Sequence, residues 1–166
     1  MRKHKEKELT STLIESIVKA LMSYWGIRDP RDVLRECIKK REWFKGVVLS
    51  TTFFEGIGKR LLIEYFKNKV GSDKFERVRS TEQIIIFLYV SEIIDPKTYC
   101  KMMEVNKFRN DIVHMEVFAE PRLKPKKARK MIKKAIACLE TLIEKLARAR
   151  IVRLRIKTPQ EPTNHP

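Results

Sequence analysis

The chain has 166 residues, 43% apolar and 35% charged, with 37 Lys and Arg against 21 Asp and Glu for a net charge of +16. That length suits one domain with a sizeable core, and the longest strongly apolar run, Ile84–Val90, is far too short to span a bilayer. A surface rich in Lys and Glu explains the high charge but not the imbalance, which favours a polyanion, either nucleic acid or an anionic membrane surface.

The opening stretch, MRKHKEKELT, is charged throughout and has no signal-peptide core. Cys37, Cys100 and Cys138 are odd in number, widely spaced and without a CxxC pair. They read as reduced, mostly buried thiols of a cytoplasmic protein, with no disulfide frame, metal site or cofactor expected.

Helical periodicity dominates the chain. Residues 5–24 carry Leu9, Leu13, Ile17, Ala20, Leu21 and Tyr24 at spacings of three and four. GIRDP then breaks the helix; Asp29 suits an N-cap, Pro30 the first helical position and Asp32 the helix dipole. A second helix is expected to about Phe44. A long third helix, 46–69, presents Val47, Phe54, Ile57, Leu61 and Tyr65 as a buried stripe. Its Gly56 and Gly58 each lower helix propensity by roughly 1 kcal/mol against Ala, which predicts a close backbone approach there.

GSDKFERVRS is a polar connection, and Ser80 with Gln83 resembles a capping box opening a helix over 81–94. Asp95 and Pro96 repeat the cap signal and start the helix that contains VNKFRNDIVHME. FAEPRLKP, 118–125, is the clearest loop. A last helix runs from Lys126 to at least Arg148, and IVRLRIK after it reads as helix end or as a short strand added to another chain. TPQEPTNHP has the composition of a disordered tail. The expectation is an all-α, antiparallel up-and-down bundle of four to five main helices, one domain over 1–157 with a tail at 158–166.

The stretch around Arg109 holds the candidate chemistry. At about 100° per residue, Arg109 falls within roughly 40° of Met102, Val105 and Val113, on the line that should face a core. An unpaired guanidinium in a dry interior is costly, so an anionic partner is expected. One account is an internal ion pair with Glu55 or Asp111. The other is a substrate phosphate.

Asn110 and His114 are four apart and share a helix edge. Arg109 and His114 are about 140° apart on an ideal helix, so they serve one site only if the arginine reaches across, the helix ends near His114, or a second copy brings them together. A histidine of near-neutral pKa can take a proton from a ribose 2′-hydroxyl or give one to the leaving 5′-oxygen. A guanidinium can hold the phosphate and stabilise charge on its non-bridging oxygens. Such a reaction, RNA strand scission, needs no metal, and Asn110 could orient the imidazole or contact the phosphate.

NKFRNDIVH, residues 106–114, resembles the signature of the HEPN family (higher eukaryotes and prokaryotes nucleotide-binding domains): an arginine, a polar residue, then a histidine after four to six intervening positions. The correspondence places Arg109, Asn110 and His114 on those positions. VVLSTTFFEGIGKRLL, 47–62, looks like the long preceding helix of these proteins, with Glu55 at a polar position. The resemblance spans roughly residues 9–146, and only the short signature is distinctive. It implies a four- or five-helix bundle, usually a homodimer with both Arg–His sets facing a shared cleft. It also implies a metal-independent endoribonuclease, often a toxin or defence effector, with catalytic Arg109, Asn110 and His114 and support from Glu55 and Asp111. Other members only bind nucleotides, nucleic acid or partners. Some toxin members paired with nucleotidyltransferase antitoxins carry a tyrosine two residues after the histidine; here that position is Glu116, which gives that control no support.

Between Arg122 and Lys157 there are fourteen Lys and Arg against only Glu140 and Glu144. Lys126, Lys127, Arg129, Lys130, Lys133 and Lys134 group at helical spacing, opposite Ile132, Ala135 and Leu139. Like charges four apart repel, so a polyanion is the better account than a solvated face. This segment contains no aromatic residue to stack on bases, which predicts backbone contact with RNA, strong salt dependence and little sequence reading. A membrane surface is disfavoured, because the apolar face has core spacing and no Trp or Phe at its margin.

Overall fold

The computed structural model describes residues 15, 16, 18–20, 22, 23, 26, 28–66, 77, 78, 80–116 and 123–157, without the side chains of 114–116 and 151–157. All regular structure among them is helical. After helical residues between 15 and 23 come α1 (Pro30–Lys40), α2 (Trp43–Phe66), α3 (Thr81–Val90), α4 (Pro96–Glu116) and α5 (Pro125–Lys157). None is long and apolar enough to cross a membrane.

Local chemistry sets most boundaries. Asp29 accepts a hydrogen bond from the Arg31 backbone N–H at 2.8 Å, with Pro30 in the first turn of α1. Helix α1 ends earlier than its sequence suggests. Arg41 adopts a left-handed conformation at φ 59°, its N–H donates to Ile38 O, and Glu42 N–H donates to Cys37 O at 2.9 Å. This is a Schellman closure built without glycine, so nothing in the sequence signals it. Helix α2 therefore starts at Trp43 rather than at Gly46. Ser80 caps α3 through the Gln83 N–H at 3.4 Å. Helix α3 stops at Val90, not at Ile94, because Glu92 turns to φ 57° and the N–H groups of Ile93 and Ile94 donate back to Leu88 O. Ile93 and Ile94 are buried all the same.

Phe54, Leu61 and Leu62 of α2 meet Ile84, Ile85 and Leu88 of α3, Met102 and Val105 of α4, and Ile132, Leu139 and Leu142 of α5 in one core. Tyr65, expected on the buried stripe of α2, is 48% exposed. In the first helical stretch Val18 and Met22 are buried while Ala20 is exposed; Leu9, Leu13, Ile17, Leu21 and Tyr24 lie outside the described residues. So do most of the polar connection, the 118–122 loop and the 158–166 tail. IVRLRIK continues α5 as helix rather than forming a strand.

The helix directions follow from paired residues. Helix α4 runs antiparallel to α5, since Glu104 pairs with Lys134 and Phe108 lies against Lys127. Helix α1 is antiparallel to α5, since Arg35 pairs with Glu140 while Ile38 and Arg41 share a hollow with Pro125 and Arg129. Helix α2, by contrast, runs parallel to α5: the α-carbon of Gly46 abuts Ile132, and Glu64 pairs with Arg150 at 3.0 Å. The returning length is supplied by α3 and α4, so the bundle mixes parallel and antiparallel neighbours.

Gly56 and Gly58 part company. A Cβ at Gly58 would lie 2.6 Å from Ile84 Cγ2 and 3.2 Å from Leu88 Cδ1, whereas one at Gly56 would meet nothing within 4 Å. The close neighbours at Gly58 are side chains of α3, not a second backbone.

Candidate functional site

Helix α4 is set by its cap. Asp95 accepts from the Thr98 N–H and from the Thr98 hydroxyl, both at 2.9 Å, and these bonds hold its carboxyl below the ordinary range. From that start, Thr98, Met102, Val105, Asn106, Phe108 and Ile112 are buried. At about 100° per residue these span one continuous sector, and Arg109 sits near its middle. Arg109 nevertheless remains half-buried, as does Val113.

The guanidinium does not end on a carboxylate. Its Nη1 donates to Asn110 Oδ1 at 3.0 Å, while its Nε is buried without a hydrogen-bond partner. Among the described residues Arg109 takes part in no ion pair. Glu55 is paired with Lys59 at 2.8 Å on its own helix, and Asp111 is exposed. Both internal partners considered for Arg109 are thus turned elsewhere.

The bond to Asn110 has a directional meaning. Asn110 projects about 100° around the helix from Arg109 and only about 40° from the line of His114, one turn further on. The bond therefore joins the guanidinium to a residue that begins the edge on which His114 falls, while Nε stays buried. With Oδ1 occupied as an acceptor, the Asn110 amide nitrogen remains a donor. His114 belongs to α4, and its side chain lies outside the described residues.

Across the seam, α5 carries the cations. Lys126, Lys127, Arg129, Lys130 and Lys133 are exposed; Lys134 is half-buried and paired with Glu104. Lys127 Nζ stands 4.9 Å from the centre of the Phe108 ring, a cation–π contact that ties the basic end of α5 to the residue preceding Arg109. One hollow of about 570 Å³ is lined by Lys101, Lys126, Arg129, Lys130, Lys133, Lys134 and Ala137. A second, of about 400 Å³, shares Lys126 and Arg129 and adds Ile38, Lys39, Arg41, Trp43 and Pro125. Lys39, Arg41 and Trp43 were not among the sequence-derived site residues. They lie some eighty positions from α5 in the chain, so only folding brings them there.

Cys37 and Cys138 are buried and Cys100 is exposed, all as free thiols. Burial pushes the Cys138 thiol up to about 11. Among the described residues no cluster of His, Cys, Asp and Glu has the makings of a metal site. No protein-family model, curated protein or solved structure matches the chain.

Proposed function

We propose that the protein is a metal-independent endoribonuclease of HEPN type. The observation that carries this reading is Arg109: a guanidinium on the buried line of α4, with no carboxylate partner among the described residues, hydrogen-bonded to Asn110 one turn before His114. A cation so placed is an anion-binding group in need of an external anion.

In the proposed reaction the ribose 2′-oxygen attacks the adjacent phosphorus and loses its proton to His114. The bond to the 5′-oxygen breaks, and that oxygen takes a proton from solvent or from His114 of a second copy. The products are a 2′,3′-cyclic phosphate and a 5′-hydroxyl. Arg109 holds the non-bridging oxygens as charge builds on them, and the Asn110 amide steadies either the guanidinium or the imidazole. The basic face of α5 recruits the RNA backbone. A role as toxin or defence effector in the cytoplasm belongs to this reading, as does a homodimer. For the latter the support is α3, whose outer face exposes Ile86, Phe87, Tyr89 and Val90.

The test is incubation of the purified chain with RNA in EDTA, with analysis of the product ends. Cleavage should leave cyclic phosphate ends and vanish in His114→Ala with RNA binding retained. Undiminished cleavage by His114→Ala sinks the assignment. The two cationic hollows also support a non-catalytic alternative, a HEPN-like module that binds nucleic acid, nucleotide or a nucleotidyltransferase partner. A gel shift without any cleavage under the same conditions would favour it.

A further inference from the structure

The hollow at the junction of α1, α2 and α5 has a chemistry that the rest of the basic face lacks. Its lining includes Trp43, half-buried and packed against the core, with Ile38 and Pro125. Around it stand Lys39, Arg41, Lys126 and Arg129, all exposed and none in an ion pair among the described residues. The neighbours Lys40 and Lys45 are, by contrast, paired with Glu36 and Glu42. The acidic groups of this corner are therefore spent on other cations.

We propose that this hollow is a nucleotide subsite for single-stranded nucleic acid, with Trp43 stacking on a base and Lys39, Arg41, Lys126 and Arg129 holding the flanking phosphates. A volume of about 400 Å³ admits a base and its sugar. An indole fixed by its core contacts offers a flat face at little entropic cost, and stacking on aromatics tolerates any base. A duplex hides its base faces, so the site selects single strands. An acidic peptide satisfies the cations, but it lacks the flat base that every nucleotide carries beside its phosphate.

Continuity with α4 gives the strand a direction. Lys126 lines both hollows, and Lys127 touches Phe108, next to Arg109. A strand anchored at Trp43 can follow the first turns of α5 toward Arg109. The subsite deepens the ribonuclease reading by naming the form of its substrate, and it is tested by binding rather than by cleavage.

The experiment uses the full chain with Trp25→Phe, so that Trp43 is the sole indole, and an oligodeoxyuridylate of about ten nucleotides, which has no 2′-hydroxyl to attack. Saturation should quench the Trp43 emission. Trp43→Ala should weaken binding about 5- to 100-fold while leaving the salt slope unchanged, and Trp43→Phe should restore most of the loss. Arg41→Ala and Arg129→Ala should each lower the slope by about 0.7. Repeating the titration with oligouridylate in His114→Ala separates the sources: equal affinity assigns the site to any single strand, tighter binding assigns it to RNA, and both support it. Unquenched emission at saturation overturns the proposal, as does an abasic strand of equal charge that binds as tightly as the oligomer. These two readings need no substitution at Trp43, so a misfolded Trp43→Ala does not blunt them. Because the deoxy strand reports binding alone, loss of this subsite and loss of the cleavage reading are told apart.

Discussion

Helices α2 and α4 both carry polar groups into the interior, and they treat them differently. On α2 the buried Ser50 and Thr51 and the half-buried Glu55, Lys59 and Glu64 all find partners. Ser50 Oγ donates to Gly46 O at 2.7 Å, Thr51 Oγ1 to Val48 O at 3.0 Å, Lys59 to Glu55 at 2.8 Å, and Glu64 accepts Arg150 from α5. On α4, Thr98 is satisfied by Asp95 in the first turn, but three turns later the partner of Arg109 among the described residues is a neutral amide. The contrast is between polar groups matched inside the fold and a cation that is not matched by a charge among the described residues. Partnering within a turn is available to this sequence, since Glu55 and Lys59 achieve it, and the proposed function rests on Arg109 having no such carboxylate among the described residues.

The largest expected effect breaks the comparison at that point. Arg109→Met should lower RNA cleavage by about 10²- to 10³-fold, the usual loss when a transition-state donor is removed. Its stability in urea should stay level or rise, because an apolar chain of similar reach replaces a cation with no counter-charge. A loss of several kcal/mol would make Arg109 a structural residue and end the argument from its isolation. Arg109→Lys should be nearly as inactive, for an ammonium cannot bridge two phosphate oxygens in one plane.

The α2 side of the comparison is sharpened by packing variants. Phe54 is fully buried on α2, and Phe54→Ala should cost about 3–5 kcal/mol in urea denaturation without a specific effect on RNA affinity. The two glycines of α2 should then diverge in sign. Gly58→Ala forces a methyl group against the buried Ile84 and Leu88 and should cost about 1–3 kcal/mol. Gly56→Ala meets open space in an unstrained helix and should stabilise by about 0.5–1 kcal/mol. Equal effects at both positions would contradict the placement of α3 over one glycine only.

The smallest effect concerns the start of α4. The Thr98 N–H and hydroxyl hold the Asp95 carboxyl below its ordinary value, so this cap contributes fully above about pH 4 and its contribution fades as pH falls through the lower folded value. Thermal melts of Asp95→Ala should lie below those of the native chain at neutral pH and converge with them in strong acid. A gap that persists at pH 2 would show that the cap works without its charge.

What could be read from the residues was local. Pro30 after Asp29, Ser80 before Gln83 and Asp95 before Pro96 announce three helix starts, because caps act within three residues. Arg109 stood out on its helix for the same reason: its distance from Met102 and Val105 along the chain fixes the line on which its Cα lies. Helix ends were less legible. Arg41 and Glu92 take left-handed conformations that glycine usually signals, and both are held by backbone bonds to the preceding turn.

Tertiary structure decided the rest, and in each instance the reason is a contact between distant segments. Whether Arg109 is neutralised depends on where Glu55 turns, which helix pairing settles and spacing does not. The cost of a side chain at Gly58 depends on α3 lying across it. The basic end of α5 lacks aromatics in its own sequence, yet it acquires Trp43 because α1 packs antiparallel to α5 and ends beside Pro125. Charge and periodicity are properties of the chain and survive in any arrangement of its helices; the company that a side chain keeps belongs to the arrangement alone.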